Sequence, residues 1–205
     1  MQHILPDCSV HVDSTSPQRR SRIHVSDPSA LRALAHPLRL RIIGSLRADG
    51  PQSVGALGDR LDAASGSISY HLSTLERHGF VEQAPELARD GRERWWRASA
   101  ETTTFEPVDL QRHPARRAAG RAMRQAIVQQ YAAEELAYLE IEETLDAGWV
   151  AAATMGDDHA WLTREELGEL SEELESLASK WHERSNRDRP DARPIRFIYA
   201  AFRRP

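Results

Sequence analysis

At 205 residues, 40 % hydrophobic and 28 % charged, the chain is long enough for one large or two small domains with a real core. Its single cysteine, Cys8, excludes an intrachain disulfide and a Cys-rich zinc site, and the lack of any apolar run of 18 residues excludes a membrane-spanning helix. The net charge of −4 is unevenly spread: residues 1–124 hold 18 Lys and Arg against 14 Asp and Glu, and residues 125–205 hold 9 against 17, so a polyanion would be met by the front half.

The first residues have neither the basic start nor the continuous apolar centre of a signal peptide, which together with the lone cysteine points to the cytoplasm. Residues 1–25 are mostly polar, with Pro6, Pro17 and an Arg-Arg-Ser-Arg run. They read as a flexible arm with a short strand near Arg22 to Val25.

A first helix follows, with Asp27 as its cap, Pro28 at its first position and Leu31 and Leu34 opening its apolar face. A second begins after His36, with Leu38, Ile42 and Leu46 on one side and Gly50 past its end. Ser53 caps a third, short helix in which Val54, Leu57 and Leu61 repeat at i, i+3 and i+7. The link Asp-Ala-Ala-Ser then leads into a fourth helix over about 65–78, where Ser65 is the expected cap and Ile68, Leu72 and Leu75 form the apolar stripe. Two short amphipathic helices joined by about four residues make a helix-turn-helix, whose second helix lies in the major groove. After Gly79, two strand-like runs flank Ala-Arg-Asp-Gly, giving a basic β-hairpin, a wing over about 86–93 whose tip contains Arg89, Asp90, Gly91 and Arg92. Residues 26–105 therefore read as a winged helix.

Residues 106–205 read as a dimerisation and candidate effector region. A long helix over about 115–146 contains no Pro and one Gly. Its side with Met123, Ile127, Tyr131, Leu136, Leu139 and Leu145 is too long for one small domain to cover. Beyond it, Trp-Val-Ala-Ala-Ala-Thr-Met-Gly and His-Ala-Trp-Leu suggest small strands around a turn at 156–158. A helix over about 163–187 opens with a capping box, Thr163 with Glu166, and a terminal strand is expected at about 195–202. The fold class is mainly α with small β: a winged helix-turn-helix domain, a long dimerisation helix and a small α+β C-terminal region.

With Ala-x-x-His-Pro-x-Arg at 33–39, Ser-x-His-Leu-x-x-Leu-x-x-x-Gly at 69–79 and Arg-Asp-Gly-Arg-Glu-Arg-Trp-Trp at 89–96, the sequence resembles the ArsR-type winged-helix repressor family over about residues 27–99, roughly 35 % of the chain. The resemblance implies a dimeric, sequence-specific transcription factor whose recognition helix and wing contact double-stranded operator DNA. The family's metal sensors carry Cys-x-Cys in the third helix, where this chain has Gly55, Ala56, Leu57 and Gly58, so that thiolate sensor is absent.

The polar face of the fourth helix fits the same reading. Gly66, Ser67, Ser69, Tyr70, His71, Ser73 and Thr74 are small or uncharged hydrogen-bonding groups where an ordinary solvated face carries Glu, Lys and Arg. Short hydroxyls and an imidazole reach base edges, and a tyrosine ring packs on a thymine methyl or bonds a phosphate. Ser67, Ser69, Tyr70, His71 and Thr74 are the candidate readers, with the bland alternative that Ser69 bonds back along its own helix and His71 packs against the first helices. Arg39, Arg41 and Arg77 are candidate phosphate contacts. Arg89 and Arg92 at the wing tip are candidates for the minor groove, against the alternative of a solvated face.

Trp149, Trp161 and Trp181, with Met155 and Phe197, either line a pocket for a small-molecule effector or form a dimer core. Asp157, Asp158, His159 and His182 read as solvated groups, and neither a metal nor a cofactor is expected. No Gly-x-Ser-x-Gly, P-loop, His-Glu-x-x-His or dinucleotide fingerprint occurs, so no catalysis is expected. A homodimeric repressor leads. The rival is a winged helix used against another protein, without specific DNA binding.

Overall fold

The computed structural model describes residues 21–90 and 93–204. The chain divides into two compact units, Met1–Glu134 and Glu135–Pro205. Most of the expected arm, residues 1–20, lies outside the described residues, as do the wing-tip residues Gly91 and Arg92.

The first unit holds β1 (Arg22–His24), α1 (Pro28–Leu34), α2 (Pro37–Asp49), β2 (Gln52–Ser53), α3 (Val54–Leu61), α4 (Ser65–Arg77), β3 (Val81–Gln83), β4 (Trp95–Ala98), β5 (Thr102–Thr104), α5 (Pro107–Gln111) and most of α6 (Pro114–Glu142). Local chemistry sets the helix starts. The Asp27 carboxylate accepts from the backbone N–H groups of Ser29 and Ala30, both at 2.9 Å, and Pro28 needs no donor partner at the first position. His36 caps α2 through Nδ1, which accepts from Leu38 N at 3.2 Å, and Ser53 Oγ accepts from Ala56 N at 3.2 Å to open α3. The cap of α4 differs from expectation. Ala64 occupies that place with no side-chain bond, and Ser65 is already helical. The turn before it is shaped instead by Asp62, at φ 49°, and by Ala63 N–H donating to Gly58 O at 3.0 Å.

The end of α4 is closed by a Schellman motif. Gly79, at φ 71°, supplies the left-handed residue, Phe80 N–H reaches Leu75 O at 3.0 Å, and Gly79 N–H reaches Glu76 O at 2.9 Å. The usual apolar contact of that motif is available because both Leu75 and Phe80 are fully buried. Val81 then starts the sheet at once. Strands run β2-β4-β3, all antiparallel, with Val81 opposite Ala98, Gln83 opposite Trp96, and Gln52 opposite the other edge of Trp96. A short 3-10 turn, Pro85–Leu87, lies in the wing loop. Strand β1 pairs in parallel with β5.

Leu31, Ile42, Leu57, Ile68, Leu72, Leu75, Phe80 and Trp96 form one core, continued by Leu110, Ala119 and Met123. Gly120 permits that continuation, since a Cβ there would lie 2.7 Å from Leu110 Cδ1. Arg47 ties α2 to the strand beyond it. Its Nε–H donates to Ala100 O at 2.9 Å and its Nη2 to Thr103 Oγ1 at 2.8 Å, and burial lowers its pKa to about 10 against the opposing influence of Tyr131.

The second unit holds the end of α6, then α7 (Ala147–Ala152) and α8 (Arg164–Glu183). Thr163 and Glu166 form a reciprocal capping box at the start of α8. The strands expected around 149–162 and at 195–202 are corrected: Trp149 to Ala152 lie in α7, capped by Asp146, and residues 153–163 and 192–204 carry neither helix nor strand. The α+β reading of this region falls with them. The physical reason is that no described residue from 135 onward is buried, so a strand there would have no apolar surface to cover and no edge to pair with. The Ala-rich stretch takes the helix its propensity favours. Mainly α with small sheets describes the chain.

Candidate nucleic-acid interface

Helix α4 has two opposed faces. Ile68, Leu72 and Leu75 are fully buried, while Tyr70 is 69 % exposed and Ser73, Glu76 and Arg77 face water. Among the described residues the hydroxyls of Ser67 and Ser69 engage no partner; the back-bonding expected of Ser69 falls on its neighbours, with Ser73 Oγ donating to Ser69 O at 3.0 Å and Thr74 Oγ1 to Tyr70 O at 3.1 Å.

His71 is placed differently from the other candidate readers. It is buried, its ring centroid lies 4.4 Å from that of His36, and its Nδ1 is a buried atom with no partner among the described residues. The ring of Tyr70 stands edge-on to it at 5.2 Å. Desolvation, then His36 and Arg39, holds the His71 imidazole below its ordinary pKa, and His36 is lowered by desolvation and Arg39. Neutral His36 is also what the cap requires, because Nδ1 accepts a hydrogen bond only while unprotonated.

A pH dependence follows. Both folded-state values lie below the ordinary 6.5, so the stability tied to neutral His36 and His71 is complete above about pH 6.5 and is lost as pH falls through the folded values. His36→Asn keeps a good capping residue and removes one titrating group. Its melting temperature is expected to fall less between about pH 7 and pH 5 than that of the parent chain; thermal melts at the two pH values with equal drops for both would rule this out.

The cationic candidates divide. Arg39 is half-buried, with Nε lacking a partner among the described residues and a pKa lowered by desolvation. Arg41 donates from Nη2 to Leu61 O at 3.0 Å, which spends at least one of its donors on clamping α2 to the end of α3. Arg77 and Arg89 are exposed. In the wing, Arg97 pairs with Glu82, at 3.3 Å, and with Glu86. Sequence reasoning missed a further cationic surface. Residues 110–133 contain no Asp or Glu but five arginines, of which Arg117, Arg121 and Arg124 are exposed at i, i+4 and i+7 along α6. The acid-free run was the available signal.

In the second unit Trp149, Met155, Trp161, Trp181 and Phe197 are all exposed, Trp161 completely. The single chain does not enclose them. Among the described residues no group of three or more His, Cys, Asp or Glu is placed to hold a metal ion, and no helix is long and apolar enough to cross a membrane.

Residues 34–84, from the end of α1 through β3, match the family model of a helix-turn-helix domain. With the three-stranded wing behind α4, this part of the chain has a winged helix-turn-helix fold. Among solved structures it is similar to reduced HlyU from Vibrio cholerae N16961, at 30 % identity over 34 % of this chain and 68 % of that one, with a TM-score of 0.29. It is also similar to the transcriptional regulator PA4135, at 21 % identity over 74 % of this chain and 82 % of that one, with a TM-score of 0.30. No curated protein matches the sequence.

Proposed function

We propose that the chain is a homodimeric repressor that reads an inverted-repeat operator, each copy placing α4 in a major groove and its wing against the backbone and minor groove. The observation that carries the reading is the exposed face of α4. Ser67 and Ser69 present hydroxyls, Tyr70 its ring and hydroxyl, and Ser73 and Thr74, whose protons go to backbone carbonyls, present acceptor oxygens, on a helix whose other face is locked in the core. Arg39, Arg77, Arg89 and Arg92 act as positioning charges, with Arg41 contributing through the donors left by its bond to Leu61. His71 serves the interface from behind, as the buried ring on which Tyr70 stands.

Pairing of α6 with its mate supplies the two-fold axis that an inverted repeat requires, with half-sites about one helical turn apart. Val128, Leu136, Leu139 and Ile141 of α6 are exposed apolar residues available for it. A small-molecule effector that altered this pairing would change the separation of the two recognition helices and release the operator.

Selection of genomic fragments by the purified chain, followed by footprinting, tests the reading: a protected inverted repeat is expected, and no enrichment by a folded protein would favour the protein-interaction rival. Titration of the recovered operator against salt adds a number. With about six phosphates neutralised per dimer, the log-log slope of affinity against salt is expected near about −5, and a slope near zero would contradict an electrostatic interface.

A further inference from the structure

Helix α8 is 20 residues long and buries none of its side chains. Leu167, Leu170, Leu174, Leu177 and Trp181 nevertheless follow one another at spacings of three, four, three and four. That alternation is the heptad seam of a coiled coil, with Leu167, Leu174 and Trp181 at a and Leu170 and Leu177 at d. The seam is about 20 Å long and most open at its C-terminal end, where Leu177 and Trp181 are each 48 % exposed, while Leu167, Leu170 and Leu174 are half-buried.

The flanking charges say what covers it. The e positions hold Ser171 and Ala178, and the g positions hold Glu166, Glu173 and Lys180. Charge is also sorted along the axis: six glutamates and one arginine lie in 164–175, whereas 176–184 hold Lys180 and the capping residue Arg184 against one glutamate, Glu183. Two parallel copies would set acidic half against acidic half. Two antiparallel copies set each acidic half against the other's basic end.

We propose that α8 pairs antiparallel with α8 of a second copy, Leu174 of each facing Leu177 of the other, Leu170 facing Trp181, and Glu173 of each lying beside Lys180 of the other. In this register no like charges meet at g, while a shift of one heptad would bring Glu173 against Glu173. Trp181 falls inside the paired seam, with the Arg184 guanidinium 5.1 Å from its ring centroid on the same helix. The pairing rests on the homodimer reading only in needing a second copy. It requires neither DNA binding nor the α6 contact.

Lys180 is the only lysine of the chain, which makes the test direct. Zero-length carbodiimide coupling of amine to carboxylate in the 205-residue chain is expected to give a dimer-sized product whose linked peptides join Lys180 to Glu173. Side chains seven residues apart on one helix can just meet, so the link is read in a mixture of isotope-labelled and unlabelled copies, where a mixed-mass peptide pair reports a contact between copies. Lys180→Arg should lose the cross-link and keep the self-association measured by sedimentation. Glu173→Lys and Lys180→Glu should each weaken self-association about tenfold at low salt, and the double variant should recover it. Leu174→Glu should weaken it as well, while the DNA shift of the folded first unit persists. Self-association unchanged in Leu174→Glu and in both single reversals, a double reversal no tighter than either single, or mixed-mass links from Lys180 only to carboxylates other than Glu173 would overturn the pairing. Failure of the parent chain to shift DNA would overturn the regulator reading and leave the cross-link untouched.

Discussion

Leu72→Ala is expected to lower the unfolding free energy of the winged-helix unit by about 2–5 kcal/mol, the range for truncating a fully buried leucine that cannot be replaced by collapse of its surroundings. Leu72 is completely buried and stands between Ile68 and Leu75 on the inner face of α4, in the one core that joins α1, α2, α3 and Phe80. Since domains of this size are stable by about 5–15 kcal/mol, the variant should be partly unfolded at modest denaturant concentration. Chemical denaturation followed by circular dichroism measures it, and a loss below about 1 kcal/mol would mean that the core is not centred on α4.

Tyr70→Ala is expected to behave in the opposite way, sparing stability and narrowing the gap between operator and random DNA by about 1–3 kcal/mol, the worth of one good base contact. Tyr70 is the largest exposed side chain on α4, and its ring is steadied edge-on by buried His71 rather than by the core. Its removal therefore takes away contact surface without opening a cavity. Competition of operator against genomic fragments at fixed salt gives the gap directly. Equal losses on both kinds of DNA would assign Tyr70 to the phosphates and refute a reading role. Tyr70→Phe separates the ring from its hydroxyl: if the ring packs on a methyl, the gap survives, and if the hydroxyl bonds a base, it closes.

Much of the first unit was legible because its determinants are local. Asp27, His36 and Ser53 act within four residues of themselves and each caps the helix its spacing announces, as the pair Thr163 and Glu166 does for α8 in the second unit. The burial of His71 was legible in principle too. It lies three residues after Ile68 and one before Leu72, on the inner stripe of the helix, and its polar side chain hid a position that the period alone gives away. Arg41 is a different case: its partner is Leu61 O, twenty residues on, and no local pattern carries that contact. The C-terminal strands failed for a third reason. Short apolar runs such as the one at 149–153 fit helix and strand equally well, and only a tertiary partner decides between them. Among the described residues no such partner is present.

The closure of α4 has a consequence for how such a protein can be switched. Phe80 caps the recognition helix and the next residue is already paired with β4, whose other edge holds β2 at the start of α3. Reader and wing are thus two arms of one rigid bracket with no free joint between them. In the dimer proposed above, a signal could not re-aim the reader while leaving the wing in place; it would have to carry the whole bracket towards or away from its mate, so regulation would become a question of the distance between two fixed bodies.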